Sequence, residues 1–128
     1  MSAESSGTLY VVGTPIGNLD DLSSRARNVL GDVDLIAAED TRRTRGLLSS
    51  INLNTTLIAY HEHNERQQTP ALIARLQKGE SLALVSDAGM PSISDPGLRL
   101  VRAALSEKLP VVSVPGPSAA VAALTISG

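Results

Sequence analysis

The chain has 128 residues, the usual length of one domain, and 42% of them are hydrophobic. It contains no cysteine, which excludes disulfides and thiolate metal sites. It has two tyrosines and neither Phe nor Trp, which argues against nucleic-acid binding by stacking on aromatic side chains. The net charge of −2 does not indicate a polyanionic partner for the chain as a whole.

The predicted elements alternate between strand and helix. Residues 1–6 are predicted to be a disordered leader and 7–128 one domain. Strands are predicted over 8–12, 34–38, 56–60, 81–85 and 110–114, and helices over 22–30, 41–50, the second half of 61–78, 98–107 and 119–126. Gly31 and Gly79 are expected to end two of these helices. This alternation predicts an α/β fold with a parallel-rich, five-stranded sheet and helices on both faces.

Three turns rich in glycine and proline follow apolar strands, over 13–18, 86–97 and 115–118. Glycine lets a backbone approach a ligand closely, and proline fixes the path of the chain. The carboxyl ends of parallel strands are where such sheets bind small molecules, so the three turns together predict a site. A dinucleotide site is disfavoured, because Gly-x-Gly-x-x-Gly is absent and Pro15 stands where pyrophosphate would approach.

The segments after the second and third strands are polar. Glu39 and Asp40 end the second strand, and His61 opens the sequence His-Glu-His-Asn-Glu after the third. This second segment is either a polar helix start capped by Asn64 or Glu65, or part of a cluster that binds a substrate hydroxyl. Metal binding is disfavoured there, because helical ligand pairs favour spacings of three or four, and no metal is predicted.

Arg42, Arg43 and Arg45 follow Asp40 closely. Their simplest interpretation is a salt-bridged helix start. Cations at the N-terminus of a helix oppose its dipole, however, which suggests that an anion is held nearby. Arginine binds phosphate oxygens bidentately, so an RNA backbone is the natural candidate.

The motifs identify a family resemblance. The sequences at 9–21, 34–42, 61–65, 84–97 and 114–119 resemble, in order and spacing, the branch of the tetrapyrrole-methylase superfamily that acts on small-subunit ribosomal RNA. The resemblance covers about 7–128. It implies S-adenosylmethionine-dependent methylation of a cytidine ribose 2′-hydroxyl in ribosomal RNA or a 30S-type particle. It also implies a homodimer in the cytoplasm, with the methyl donor between two α/β domains, the second of which is absent from this sequence.

The resemblance also assigns residues. Donor binding falls to the first, fourth and fifth post-strand turns, through Pro15, Ser86, Asp87, Ala88, Gly89, Pro91, Ile93, Ser94, Pro115, Gly116, Ser118 and Ala119. Small groups and backbone carbonyls suit a sulfonium, because a paired carboxylate would stabilise the ground state more than the transition state. Asp40, His61 and Glu65 are the candidates for a general base. Two alternatives are a methylase of corrin or porphyrin precursors and a non-catalytic RNA-binding half-domain.

Overall fold

A computed structural model of the chain describes residues 6–13, 22–85 and 95–114. In these ranges five strands alternate with four helices. The elements are β1 (Leu9–Val12), α1 (Ser24–Asp32), β2 (Leu35–Ala38), α2 (Thr41–Ser50), β3 (Leu57–Ala59), α3 (Glu65–Gln77), β4 (Leu82–Val85), α4 (Asp95–Ser106) and β5 (Val111–Val114).

The five strands form one sheet in the order β3-β2-β4-β1-β5, and every pairing is parallel. The predicted α/β fold is therefore confirmed. All four residues of β2 and of β4 are buried, because both faces of the central strands are covered. This is why these strands are continuous apolar runs in the sequence rather than alternating ones.

Successive side chains of each strand enter two separate cores. Leu35 and Ala37 of β2 belong to the core that holds α3 and α4, whereas Ile36 and Ala38 belong to the core that holds α1 and α2. The helices contribute buried aliphatic residues to these cores: Ala26, Leu30 and Leu48 on one face, and Leu72, Ile73, Leu76, Leu100 and Ala104 on the other. Helices thus cover both faces of the sheet, as the alternation predicts.

Helices α1 and α4 differ from the sequence prediction at both ends, and the two most informative differences are the end of α1 and the start of α4. Gly31 does not end α1, which continues to Asp32, where the N–H of Val33 donates to the carbonyl of Val29. A Cβ on Gly31 would lie 3.2 Å from the Leu53 side chain, so packing rather than helix termination accounts for this glycine. Helix α4 begins at Asp95, three residues earlier than predicted. Gly79, with a φ of 101°, follows α3 as predicted.

The helix predicted over 119–126 lies outside the described residues. Among the helices that the structure describes, none is long and apolar enough to cross a bilayer.

Candidate functional site

The carboxyl ends of all five strands lie along one edge of the sheet, because every pairing is parallel. Val12 pairs with both Val85 and Val114, and Ala38 pairs with Val85 and Ala59. The strands that precede the three glycine- and proline-rich turns therefore end side by side. Asp40 and His61 follow β2 and β3 at the same edge.

The twelve residues assigned to the methyl donor lie outside the described residues. They are Pro15, Ser86, Asp87, Ala88, Gly89, Pro91, Ile93, Ser94, Pro115, Gly116, Ser118 and Ala119.

The neighbouring strands β2 and β4 define a switch point in the topology. After β2 the chain enters α2, which packs on one face and leads outward to β3. After β4 it enters α4, which packs on the opposite face and leads to β5 on the other side of the sheet. Open α/β sheets bind ligands in the crevice at such a point. Asp40 lies beside it.

The Asp40 carboxylate caps helix α2. Its Oδ1 accepts hydrogen bonds from the backbone N–H groups of Arg42, at 3.0 Å, and Arg43, at 3.3 Å. An N-cap aspartate contributes about 1 kcal/mol to stability and offsets the unpaired donors of the first helical turn. The structure therefore gives Asp40 a local structural role in addition to its position at the edge.

The turn from His61 to Asn64 is fixed to the end of β3. The Asn64 side chain accepts from the His61 backbone N–H at 2.8 Å and donates to the Ala59 carbonyl at 2.9 Å. Asn64 occupies the N-cap position of α3 but makes no capping hydrogen bond with its side chain, which turns back to the strand instead. The His61 ring is half-buried, and its Nδ1 accepts from the His63 backbone N–H at 3.2 Å.

Glu65 begins α3 and is paired with α4. Its side chain is 12% exposed, and Oε1 lies 3.3 Å from Nε of Arg99. Among the described residues, the other oxygen, Oε2, is buried and has no hydrogen-bond partner. A buried acceptor without a donor costs about 1–3 kcal/mol, so such an atom calls for a partner such as an ordered water molecule or a ligand. Glu65 is thus the predicted site residue whose environment is hardest to explain by stability alone.

Beside Glu65, the buried hydroxyls of Tyr60 and Thr69 form a chain. Thr69 donates to the Glu65 carbonyl at 2.6 Å, and because its only proton is used there, the Tyr60 hydroxyl must donate to Thr69, at 2.7 Å. Burial raises the pKa of Tyr60, and the nearby Glu65 carboxylate raises it further, while the Arg99 charge acts in the opposite direction. The phenol is therefore neutral and acts as a donor.

The three predicted RNA-binding arginines have different environments. Arg42 and Arg43 are exposed. Arg45 is half-buried and ties α2 to the following loop, donating to the Thr55 carbonyl at 3.0 Å and to Asn54 Oδ1 at 3.4 Å. An open depression of about 360 Å³ beside the edge strand β3 is lined by Thr41, Arg42, Arg45 and Leu57. Two guanidinium groups thus border one concave surface.

Sequence reasoning places Asp40, His61 and Glu65 at one sheet edge, and the structure does the same. The partners of Glu65 do not follow from the sequence. Tyr60 carries a signal, since it is one of two tyrosines and directly follows a strand. Arg99 carries none, because its pairing with Glu65 depends on how α3 and α4 pack together.

Comparison with known proteins shows the family. The family model for tetrapyrrole (corrin/porphyrin) methylases matches residues 8–128, and the chain belongs to that family. The chain is 57% identical to ribosomal RNA small subunit methyltransferase I of Xylella fastidiosa, with 95% of the chain and 45% of that protein covered. It is 54% identical to the protein of that name from Escherichia coli O157:H7, with 97% and 43% covered. The chain thus spans less than half the length of these relatives.

Solved structures agree with this assignment. The crystal structure of uroporphyrin-III-C-methyltransferase from Thermus thermophilus matches with a TM-score of 0.69 and 26% identity, over 94% of this chain and 51% of that one. A putative cobalamin synthesis related protein from Corynebacterium diphtheriae matches with a TM-score of 0.67 and 20% identity, over 90% and 55%. At that identity the second match supports the fold alone.

Proposed function

We propose that this chain is part of an S-adenosylmethionine-dependent methyltransferase that modifies a cytidine ribose 2′-hydroxyl of small-subunit ribosomal RNA. The observation that carries the proposal is the 57% identity to a ribosomal RNA small subunit methyltransferase I over 95% of the chain. The parallel sheet supports it, because polar side chains and the strands before the glycine- and proline-rich turns meet at one edge. A corrin or porphyrin substrate is less well supported, since uroporphyrin-III-C-methyltransferase is only 26% identical.

The methyl donor would be held at the crevice between β2 and β4 and by the turns after β1, β4 and β5. Eleven of the twelve donor residues named from the resemblance belong to these three turns, and Ala119 directly follows the third. The crevice between β2 and β4 fits a small donor, because open α/β sheets bind ligands where the connections leave on opposite faces. When bound, S-adenosylmethionine supplies a methyl group on a sulfonium, and the protein positions it for in-line transfer.

Of the three candidate bases, Glu65 is the best placed to take a proton. Asp40 already accepts two backbone N–H groups, and His61 Nδ1 accepts a third. Glu65 has one oxygen on Arg99 and one with no donor, so an acceptor remains for a hydroxyl proton. We propose Glu65 as the general base for the ribose hydroxyl, with Asp40 and His61 completing the polar edge.

The RNA would be bound by Arg42, Arg43 and Arg45 on α2. Arg42 and Arg45 border the depression beside β3, and the exposed guanidinium of Arg42 suits a bidentate contact to phosphate. By the same resemblance we propose a homodimer that acts in the cytoplasm.

The test is methyl transfer by a chimera in which this chain replaces the matching part of the Xylella fastidiosa relative. With labelled S-adenosylmethionine and small-subunit ribosomal RNA, we expect methylation at a cytidine 2′-hydroxyl. Glu65→Gln should lower kcat by about 10²- to 10³-fold, because a positioned base contributes a factor of this order. Glu62→Gln is the matched control, since Glu62 is an exposed acid in the same turn.

A folded chimera that transfers no methyl group, under conditions where the parent enzyme does, would contradict the proposed activity. An active chimera in which Glu65→Gln and Glu62→Gln behave alike would contradict only the role of Glu65. Mapping the methyl group to a base would overturn the 2′-hydroxyl assignment.

A further inference from the structure

A backbone hydrogen bond determines which ring nitrogen of neutral His61 carries the proton. The backbone N–H of His63 donates to His61 Nδ1 at 3.2 Å. A backbone N–H can only donate, so Nδ1 must present a lone pair, and the neutral ring carries its proton on Nε2. In this tautomer Nδ1 accepts a hydrogen bond from the backbone, and Nε2–H can donate one.

The turn that supplies this N–H is held at several points. Asn64 is tied to the His61 N–H and to the Ala59 carbonyl, at 2.8 and 2.9 Å. The backbone N–H groups of Asn64 and Glu65 both donate to the His61 carbonyl, at 3.1 and 2.9 Å. The direction of the His63 N–H is therefore set by the fold of the turn, and so is the tautomer.

The other ring nitrogen of His61 is Nε2. Among the described residues, no hydrogen bond to Nε2 is found, and the His61 ring is half-buried. His61 directly follows the end of β3, so this nitrogen lies near the carboxyl edge of the sheet where the site is proposed.

We infer that His61 is a hydrogen-bond donor to an oxygen of the ligand, through its Nε2–H. An anionic oxygen is the acceptor we test for, because a charged acceptor makes the stronger hydrogen bond with an N–H donor. The proposed function supplies two sources of such an oxygen, a phosphate of RNA and the carboxylate of the methyl donor. The identity of the ligand rests on the proposed function, but the tautomer does not.

The tautomer can be tested on this chain alone by NMR of the ¹⁵N-labelled imidazoles. The chain contains only two histidines, so the spectrum holds two rings, and His63→Gln assigns them while keeping the backbone N–H. We expect His61 to carry its proton on Nε2, with Nδ1 unprotonated. A ring with its proton on Nδ1, or with the proton shared evenly between the nitrogens, would overturn the inference.

The ligand is tested by titrating the chain with a small-subunit ribosomal RNA fragment and, separately, with S-adenosylhomocysteine. A shift of the Nε2–H resonance with RNA identifies phosphate, and one with S-adenosylhomocysteine identifies the carboxylate. His61→Ala should weaken binding of the ligand concerned about tenfold. His61→Gln, which retains an N–H donor, should recover much of that affinity, whereas His63→Gln should change nothing.

The two proposals fail in different ways. If neither ligand moves the Nε2–H resonance although one of them binds, the donor role of His61 is wrong and the proposed function stands. If the resonance responds to S-adenosylhomocysteine while RNA does not bind, the donor role holds and the RNA substrate is contradicted.

Discussion

Strands β2 and β3 are neighbours that end at the same sheet edge, yet the segments after them differ in how their polar side chains are exposed and bonded. After β2 the chain turns immediately into α2, and Arg42 and Arg43 on its first turn are exposed. After β3 a short turn leads into α3, and the polar groups there are tied to one another and to α4. We call the first the α2 start (residues 39–45) and the second the α3 start (residues 60–65).

The difference is in what each polar group does for the fold. At the α2 start, the Asp40 carboxylate caps the helix and Arg45 donates to the Thr55 carbonyl, while the side chains of Arg42 and Arg43 are exposed. At the α3 start, Tyr60 is 1% exposed and its hydroxyl bonds to Thr69, while Glu65 pairs with Arg99. Exposed charges contribute little to stability, whereas buried hydrogen-bonded groups are costly to remove. The α2 start is therefore suited to binding, and the α3 start to holding a rigid geometry.

The largest expected effect is a loss of RNA binding on substitution at the α2 start, with little loss of stability. Replacing Arg42 and Arg43 together by Ala should weaken binding of small-subunit ribosomal RNA by about 30- to 100-fold, because two guanidinium groups that can pair with phosphate are removed. The slope of log K against log salt should become shallower by roughly one for each phosphate that the protein no longer neutralises. Because both side chains are exposed, the free energy of unfolding should fall by about 1 kcal/mol or less, a smaller loss than that of RNA binding.

The matched control removes two charges elsewhere. Lys78 and Arg102 are both exposed and belong to the part of the chain around α3 and α4, so Lys78→Ala with Arg102→Ala changes the net charge equally. If this control weakens RNA binding as much and with the same change in slope, only the overall charge matters. The arginines of α2 would then have no specific role.

The second-largest effect is expected at the α3 start, where substitution should lower the stability of the fold. Asn64→Ala removes the hydrogen bonds to the His61 N–H and the Ala59 carbonyl, and should lower the free energy of unfolding by about 2 kcal/mol. Urea denaturation measures this decrease. Asn64→Asp is the informative control, because it retains the acceptor for His61 but not the donor for Ala59. If Asn64→Ala were as stable as the wild type, the polar groups of the α3 start would not stabilise the fold more than those of the α2 start do.

The fold is predictable because the sequence patterns are local. Each strand is an apolar run, and turn residues punctuate the helices, so the order of elements and the parallel sheet follow from the alternation alone. Helix α2 is predicted over 41–50, which are its observed bounds, and the structure shows Asp40 as its N-cap. The predicted end of α1 is wrong because glycine is typical of a helix stop, whereas Gly31 is explained by its packing against Leu53, which is distant in sequence.

The site is predictable only to the level of the sheet edge. That Asp40 and His61 share an edge follows from parallel strands, but the partners of each side chain depend on distances between helices. The pairing of Glu65 with Arg99 joins residues on two different helices and requires the packing of α3 on α4. The tautomer of His61 depends on the backbone N–H of His63, whose direction is set by the two bonds of Asn64.

The smallest expected effect concerns the buried phenol and its dependence on pH. Tyr60→Phe leaves the ring in place but removes the donor to Thr69, and should lower the free energy of unfolding near pH 8 by about 1 kcal/mol. Because the pKa of Tyr60 is raised in the folded protein, chiefly by burial, the folded state holds the phenolic proton more tightly than the unfolded chain does.

An unfolded tyrosine has a pKa of about 10. The stability that the neutral Tyr60 contributes is therefore fully present below about pH 10 and is lost as the pH rises from there through the raised folded pKa. Tyr60→Phe has no such dependence, so urea denaturation should show the gap between wild type and variant narrowing above about pH 10. Tyr10→Phe is the control that retains the Tyr60 phenol. A stability difference that stays constant or widens would mean that Tyr60 ionises at least as readily in the folded protein as in the unfolded chain. The burial of polar groups that distinguishes the α3 start from the α2 start would then be contradicted.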